Sequence, residues 1–247
     1  MPYLQIINAY GSVQIDDTYK NPRLYSAFSD TTNTAMLYQY FALGPTPPPA
    51  PPNLLAGSYK TFTLSRASVP NPTIAVYSTS AHVCVSNLRY DASNWYYTVR
   101  CDGAVGTGFL IHIYTAASSP AGSFGLEAYR ADGSMLFDAL QKYIRTDRNV
   151  IVPSSGNLAF ANYNLEAGRT YGIMTSMEHI SYVQDTFSYG GNTFYRLTYK
   201  AIGSQAYSGG HNAGSFPISV QVQPTGPLTP TITPLGGPIF PVDITNY

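Results

Sequence analysis

Residue types that bind metals or act as acids and bases are few in this sequence and widely spaced. The histidines are His82, His112, His179 and His211. None follows the His-Glu-x-x-His spacing, which places two ligands on one face of a helix. Cys84 lies two residues after His82, but no second Cys-x-x-Cys or spaced His pair completes a tetrahedral ligand set. We therefore expect no metal centre.

Catalytic patterns based on serine, carboxylates or phosphate binding are also missing. The sequence has no Gly-x-Ser-x-Gly elbow for a serine nucleophile. A glycosidase needs two carboxyl groups across the sugar bond, but Asp16 and Asp138 occupy matching positions of an internal repeat, which favours a structural role at a hairpin exit. The glycine-rich segment 208–214 lacks the lysine of a phosphate-binding loop. We expect a protein that is not an enzyme and uses no cofactor.

Aromatic residues at turns are the remaining candidates for a binding function. Tyr90, Trp95 and Tyr96 lie at or next to a hairpin tip, and Tyr189 precedes the glycine pair 190–191. Flat aromatic faces stack on sugar rings and on protein partners. The alternative is that Tyr90 and Trp95 form a cross-strand pair that only stabilises the hairpin. These four residues are the predicted binding surface.

The two cysteines flank that hairpin. Residues 85–100 are typical of two strands around an Asp-Ala-Ser-Asn turn, which pairs Tyr90 with Trp95. The same register brings Cys84 directly opposite Cys101, so the two are candidates for a disulfide. Thiols made in a reducing cytoplasm usually stay reduced, and a directly opposed pair can strain the bond. The pattern leaves both states open and predicts only that the two residues are close.

Short segments of alternating hydrophobicity, separated by turn signals about every ten residues, indicate an all-β fold of the sandwich type, jelly-roll or Ig-like. The predicted strands are 59–64, 73–77, 82–88 and 96–101 in the first half, and 158–161, 170–174, 182–187 and 193–199 in the second. Segment 136–144 has the pattern of a short helix as well, but the internal repeat favours a strand there.

That repeat is the strongest organisational feature. Residues 4–16 align without gaps with 126–138, and the 20-position window that continues to Arg23 and Arg145 holds seven identities, where chance gives about one or two. Each copy predicts a hairpin with glycine at the turn. Segments 109–113 and 216–220 form a second matching pair. We therefore expect two tandem β-sandwich domains, 1–122 and 123–223.

Two proline-rich segments interrupt this pattern. Residues 44–52 predict an extended polyproline insert in the first domain, interpreted as an exposed loop or spacer. Residues 224–247 contain five prolines after Pro224 and scattered apolar residues, so we expect an extended arm. Such an arm either packs along another subunit or is partly disordered.

Composition excludes several classes of partner. Thirteen Lys and Arg balance thirteen Asp and Glu, and no run of like charge is present, so nucleic acid and anionic membrane surfaces are not expected partners. Charged residues make up 11% of the chain, against about 25% in an average globular protein. The 22 tyrosines favour a surface occupied by neighbouring proteins. The N-terminus has no signal-peptide pattern, and the apolar runs are too short to insert in a membrane.

The second copy of the hairpin, residues 125–138, resembles a motif common in small tail proteins of tailed bacteriophages: a strand, an x-Gly turn and an apolar strand that ends in Asp. The first copy is similar but has Tyr10 where Asp or Asn usually precedes the glycine. The resemblance implies a minor tail or tail-tip structural protein, made in the bacterial cytoplasm and assembled into the virion with other tail proteins and copies of itself. It assigns no functional residues.

Two alternatives share this composition. The first is a receptor- or carbohydrate-binding module at the tail tip, with a host surface glycan or receptor as its partner on the aromatic surface. The second is a capsid decoration protein. The sequence does not distinguish positions within the particle, because the same architecture and surface chemistry suit all of them.

Overall fold

The computed structural model describes residues 5–7, 13–16, 22–40, 57–116, 127–129, 135–138, 142–146, 159–175, 180–224, 226–229 and 239–245. Within these ranges the chain forms strands and no helix. The strands are β1 (Gln5–Ile7), β2 (Val13–Asp16), β3 (Arg23–Thr31), β4 (Thr34–Ala35), β5 (Leu37–Tyr40), β6 (Ser58–Ser65), β7 (Thr73–Tyr77), β8 (Val83–Tyr90), β9 (Asn94–Cys101), β10 (Gly108–Thr115), β11 (Glu127–Tyr129), β12 (Met135–Asp138), β13 (Ala161–Asn164), β14 (Tyr171–Thr175), β15 (Ile180–Tyr189), β16 (Asn192–Tyr207), β17 (Gly210–Gln223) and β18 (Ile239–Asp243).

Two large sheets dominate the structure. The five-stranded sheet has the order β18-β14-β7-β10-β3, and the nine-stranded sheet has the order β13-β17-β16-β8-β9-β6-β4, with β15 also paired to β16 and β5 to β17. The β5–β17 pair is parallel, whereas the other pairs are antiparallel. The sheets face each other in a sandwich-like arrangement, which confirms the prediction of an all-β fold.

The main core lies between the two sheets. Alternate residues of each strand face inward, because successive side chains of a strand point to opposite faces. Tyr97 and Val99 of the nine-stranded sheet thus meet Phe109, Ile111 and other apolar side chains of the five-stranded sheet, all of them buried. A second cluster covers the outer face of the nine-stranded sheet and contains Met36, Cys84, Leu197, Tyr199, Ala201, Phe216, Ile218 and Leu228; we call it the outer cluster.

Strands from both halves of the chain join the same sheets. Val76 of β7 pairs with Ile173 of β14 in the smaller sheet, and Val83 of β8 pairs with Ser204 of β16 in the larger one. The main core contains residues from both halves, Val76 and Ile173 among them. The boundary expected at residue 122 therefore does not divide the described strands into two sandwiches with separate sheets.

The described part of the C-terminal segment also packs on its own chain. β18 is the edge strand of the five-stranded sheet and pairs with β14 along its whole length. Ile239 and Val242 are fully buried, and Leu228 belongs to the outer cluster. Pro241 is tolerated because an edge strand has one side that needs no ladder hydrogen bond. Within the segment 224–247, for which the sequence predicted an extended arm, Leu228 packs on the outer cluster and residues 239–243 form a strand of the five-stranded sheet. The proline-rich insert 44–52 lies outside the described residues.

The antiparallel strand pairs of the two hairpins predicted from the repeat are confirmed; their turns, with Gly11 and Gly133, lie outside the described residues. In β1–β2, Gln5 pairs with Asp16, and in β11–β12 the equivalent Glu127 pairs with Asp138. Each hairpin has a register shift at the same place, after Ile6 in the first and after Ala128 in the second. The two copies thus share register and irregularity as well as sequence. The short-helix alternative for 136–144 is wrong for residues 135–138, which form β12.

Candidate functional site

The predicted aromatic surface lies at the tip of the β8–β9 hairpin. Tyr90 pairs with Trp95, as expected. The turn between them is held by Asp91, whose Oδ1 accepts hydrogen bonds from the backbone N–H groups of Ser93 at 2.8 Å and Asn94 at 2.7 Å. Such an Asx turn explains why the sequence Asp-Ala-Ser-Asn closes this hairpin.

An arginine from outside the hairpin covers the aromatic pair. The Tyr90 and Trp95 ring centroids are 5.0 Å apart, and the Arg66 guanidinium lies 4.7 Å from the Tyr90 centroid and 5.5 Å from that of Trp95. Arg66 also donates to the Asp91 carbonyl oxygen at 2.6 Å. Cation–π contacts of this kind contribute about 0.5–1 kcal/mol at exposed sites. We call Arg66, Leu88, Tyr90 and Trp95 the tip surface.

The residues of this surface differ in how much they serve the fold. Trp95 is partly buried, and its indole N–H donates to the Val69 carbonyl at 2.9 Å, which ties the hairpin to the β6–β7 turn. Tyr90 and Leu88, two residues apart on one side of β8, are 63% and 49% exposed. Trp95 therefore has a structural role, whereas Tyr90 and Leu88 are available for contact.

Tyr96 and Tyr189 occupy other environments. The Tyr96 hydroxyl donates to Asp91 Oδ2 at 2.7 Å. This hydrogen bond raises the pKa of Tyr96 and, with the two backbone donors, lowers the pKa of Asp91. Tyr189 is 46% exposed at the tip of a different hairpin, β15–β16, where it pairs with Asn192. The structure thus gathers three of the four predicted aromatic residues around one turn and places the fourth at another.

The predicted position of the cysteines is wrong by one residue. Cys101 pairs with Val83, and Cys84 pairs with Arg100. The register shifts between Ser86 and Arg89, where Asn87 has a positive φ of 53°. This bulge inserts one extra residue into β8. Both cysteines are buried thiols outside any disulfide.

A polar network missed by the sequence analysis centres on His82. His82 Nδ1 lies 2.6 Å from Asp102 Oδ2, and Nε2 lies 2.8 Å from Asn212 Oδ1. Asn212 in turn donates to Asn162 Oδ1 at 2.7 Å, and the His82 ring packs at 4.2 Å from Phe160. The network, which we call the His82 clasp, joins the end of β9 to β17 and β13.

The protonation of His82 depends on competing effects. Burial opposes the charged imidazolium, but the hydrogen bonds to Asp102 and Asn212 and the charge of Asp102 outweigh it, so the pKa of His82 is raised. No cluster of three or more His, Cys, Asp and Glu side chains suited to a metal is found among the described residues. The hydrogen bonds of the clasp connect the end of β9 to β17 and β13, and the raised pKa of His82 means that protonation of His82 strengthens this connection.

The other described histidines are core residues. His112 and His211 are 2% and 1% exposed. Burial lowers the pKa of each to about 4, so both are neutral near pH 7. His211 Nδ1 lies 2.6 Å from Ser204 Oγ, but both side chains are buried in the sandwich, so a substrate has no access to this pair. His179 lies outside the described residues.

No protein family model, curated protein or solved structure matches this chain. Among the described residues, no helix is long and apolar enough to span a membrane. Sequence patterns did not reveal the roles of Asp102, Asn212 and Arg66, because the partners of these residues are distant in sequence. Near the His82 clasp, the local signal was the Asp-Gly turn at 102–103.

Proposed function

We propose that this chain is a non-enzymatic structural protein of a bacteriophage tail, either a minor tail protein or a component of the tail tip or baseplate, that assembles into the virion by subunit packing. The observation that supports this function is the pair of matching hairpins, β1–β2 and β11–β12, which share register and bulge position. These are the segments whose sequence resembles small tail proteins.

The sandwich is suited to a mechanical role. Two packed sheets supply a rigid block, and an edge strand offers backbone groups to which a neighbour can add a strand. β3 is the last strand of the five-stranded sheet. Its outer edge is contacted at Arg23, which bridges Tyr143, and at Leu24, whose N–H donates to the Lys142 carbonyl. Beyond Leu24, no strand in the described part of the chain pairs with this edge. Tyr25 is 49% exposed on this strand, so β3 is the edge at which we expect neighbouring subunits to pack.

The test is location in purified particles. Virions from a bacterium that carries the gene are separated into head and tail fractions, and each fraction is analysed by mass spectrometry and by gold-labelled antibodies against this chain. We expect the chain in the tail fraction, with label at one position on the tail. Recovery only in heads would indicate a capsid decoration protein, and absence from particles would exclude a structural role; either result contradicts the proposal.

A second candidate function is binding of a host receptor or glycan by the tip surface. It is favoured by the exposure of Tyr90 and Leu88 beside the fixed Arg66 guanidinium. Tyr90→Ala tests it better than Trp95→Ala, because Trp95 anchors the hairpin through Val69. We expect Tyr90→Ala to weaken attachment of the protein to host cells, with the exposed Tyr182→Ala as a matched control. Equal attachment by both variants would exclude this surface.

A further inference from the structure

The outer face of β17 carries an unusual alternation of glycine and asparagine. Gly210, Asn212 and Gly214 are two residues apart, so they lie on the same face of the strand. Asn212 pairs directly with Asn162 of β13 on one side and Gln205 of β16 on the other. Directly opposed residues share a face, so the three amide side chains form a row across three strands.

Both glycines lie under aromatic rings. A Cβ atom at Gly214 would be 2.7 Å from Cγ of Phe160. One at Gly210 would be 2.6 Å from Cζ and the hydroxyl oxygen of Tyr207, and 2.5 Å from the Tyr163 carbonyl oxygen. Real side chains do not tolerate such distances, so each ring occupies the space that a side chain would fill. The two rings therefore pack directly on the backbone of Gly210 and Gly214, on either side of Asn212.

The rings remain partly open to solvent. Phe160 is 48% exposed and Tyr207 is 37% exposed, although phenylalanine is usually buried. The Phe160 ring is supported by His82 at 4.2 Å, and the Tyr207 hydroxyl donates to Asn164 Oδ1 at 2.8 Å. Each ring is thus held in place from one side while part of it faces outward. The two glycines beneath the rings are four residues apart on β17, which corresponds to about 13 Å along the strand.

Hydrogen-bonding groups lie between and beside the rings. Asn162 and Asn164 each accept one hydrogen bond through Oδ1, from Asn212 and Tyr207 respectively. Among the described residues none accepts from the amide NH₂ groups of these two asparagines, and both side chains are exposed. The amides can therefore donate to a ligand without losing their present bonds.

We propose that Phe160, Asn162, Asn164, Tyr207 and Asn212 form a binding site for an uncharged oligosaccharide chain. An aromatic face stacks on the apolar face of a sugar ring, and amide groups exchange hydrogen bonds with hydroxyls. Two such rings separated by an amide row suit a ligand that repeats both features along its length. Among the described residues near the site, His82 is paired with Asp102 and Glu166 with Arg169, so none of these four is left as an unpaired counter-charge for a charged ligand.

We call these five residues the amide–aromatic site. Sugar binding at this site goes beyond the structural role proposed above, and the site is separate from the tip surface. It predicts that the full-length protein binds neutral polysaccharide fragments from bacterial cell surfaces, measured by titration calorimetry against a panel that also contains acidic fragments. Phe160→Ala is expected to lower the affinity at least tenfold. Gly214→Ala is expected to have a similar effect, since the added methyl group would clash with both the ring and the Cα atom of Phe160 and displace that residue.

The matched control is Gly108→Ala. Gly108 lies in a strand, and a Cβ atom there would meet nothing within 4 Å, so binding should be unchanged. Thermal unfolding of each variant shows whether the fold is intact, and the exposed Phe160 makes Phe160→Ala the variant expected to fold normally. Failure of the unaltered protein to bind any neutral fragment, or equal binding by Phe160→Ala, would overturn the inference. Particle location is measured separately, so each proposal can fail alone.

Discussion

Cys84 and Cys101 lie on opposite faces of the nine-stranded sheet, although they belong to neighbouring strands of one hairpin. Cys101 pairs with Val83 and contributes to the main core between the sheets, whereas Cys84, one residue further on, faces the outer cluster. A disulfide needs two Cβ atoms about 3.5–4.5 Å apart that point toward each other. The sheet itself separates these two thiols.

The first prediction concerns the bulge that causes this separation. Asn87 has a φ of 53°, a left-handed conformation that Asn and Gly adopt more readily than β-branched residues. We expect Asn87→Val to destabilise the protein by about 1–2 kcal/mol and Asn87→Gly to have a much smaller effect. Urea unfolding measures both. Equal stability of the two variants would argue against the left-handed bulge.

A thiol assay checks the consequence for the cysteines. Under oxidising conditions the native protein should keep two thiols per chain, counted after unfolding in the presence of a thiol reagent. Both thiols are buried, so they should react slowly before unfolding. Recovery of an intramolecular Cys84–Cys101 disulfide from native protein would contradict the register described above.

The second prediction is the sign of the His82 contribution to stability. Its folded-state pKa lies above the ordinary value of 6.5, so folding favours the protonated form. The stabilisation from this proton is fully present below pH 6.5 and is lost as the pH rises through the folded-state pKa. The difference in unfolding free energy between the unaltered protein and His82→Gln should therefore be larger at pH 5.5 than at pH 8. A difference in unfolding free energy that grows toward pH 8 would contradict a raised pKa for His82.

The third prediction concerns the two core histidines, which act in the opposite direction. Burial lowers the pKa of His112 and of His211 to about 4, below the unfolded value of about 6.5. The unfolded chain binds more protons between these values, so stability falls as the pH drops from 6.5 toward 4, by up to about 3 kcal/mol for each histidine. NMR titration of the imidazole resonances checks this. Titration of either core histidine near pH 6.5 in the folded protein would contradict it.

Several elements follow from local sequence. Alternating apolar residues predicted β7 and most of β8 and β9, and the Asp-Ala-Ser-Asn turn gave the Tyr90–Trp95 pair. The repeat gave both short hairpins. These features depend on strand periodicity and on turn residues within segments of about twenty residues, and both can be recognised in the sequence.

Other features depend on distant contacts. The bulge at Asn87 has no glycine to signal it, so the cysteine register was off by one. β13 covers Ala161–Asn164 rather than 158–161, because its position is set by pairing with Asn212 and His211 of β17. The edge position of β18 depends on β14, which lies far upstream in sequence. Each of these features depends on which strands pair with each other, and the local alternation of apolar residues does not specify strand pairing.

The fourth prediction tests the attachment of β18. Asp243 is 4% exposed and accepts hydrogen bonds from Arg169 and from the Thr245 backbone N–H at 2.9 Å. Although burial alone would raise it, the pKa of Asp243 is lowered by the hydrogen bonds from Thr245 and Arg169. The carboxylate is therefore charged at neutral pH and holds the end of β18 against the residues that precede β14.

Asp243→Asn should consequently destabilise the protein by about 1–3 kcal/mol, since it removes a buried carboxylate that accepts hydrogen bonds from Thr245 and Arg169. The matched control is Asp185→Asn, which removes the carboxylate partner of Arg196. The Asp185 side chain is 41% exposed, so this change should cost less than about 1 kcal/mol. Urea unfolding of both variants measures the two losses of stability. Equal, small effects would mean that the ladder with β14 and the buried Ile239 and Val242 hold β18 on its sheet, and that the ion pair contributes nothing to this attachment.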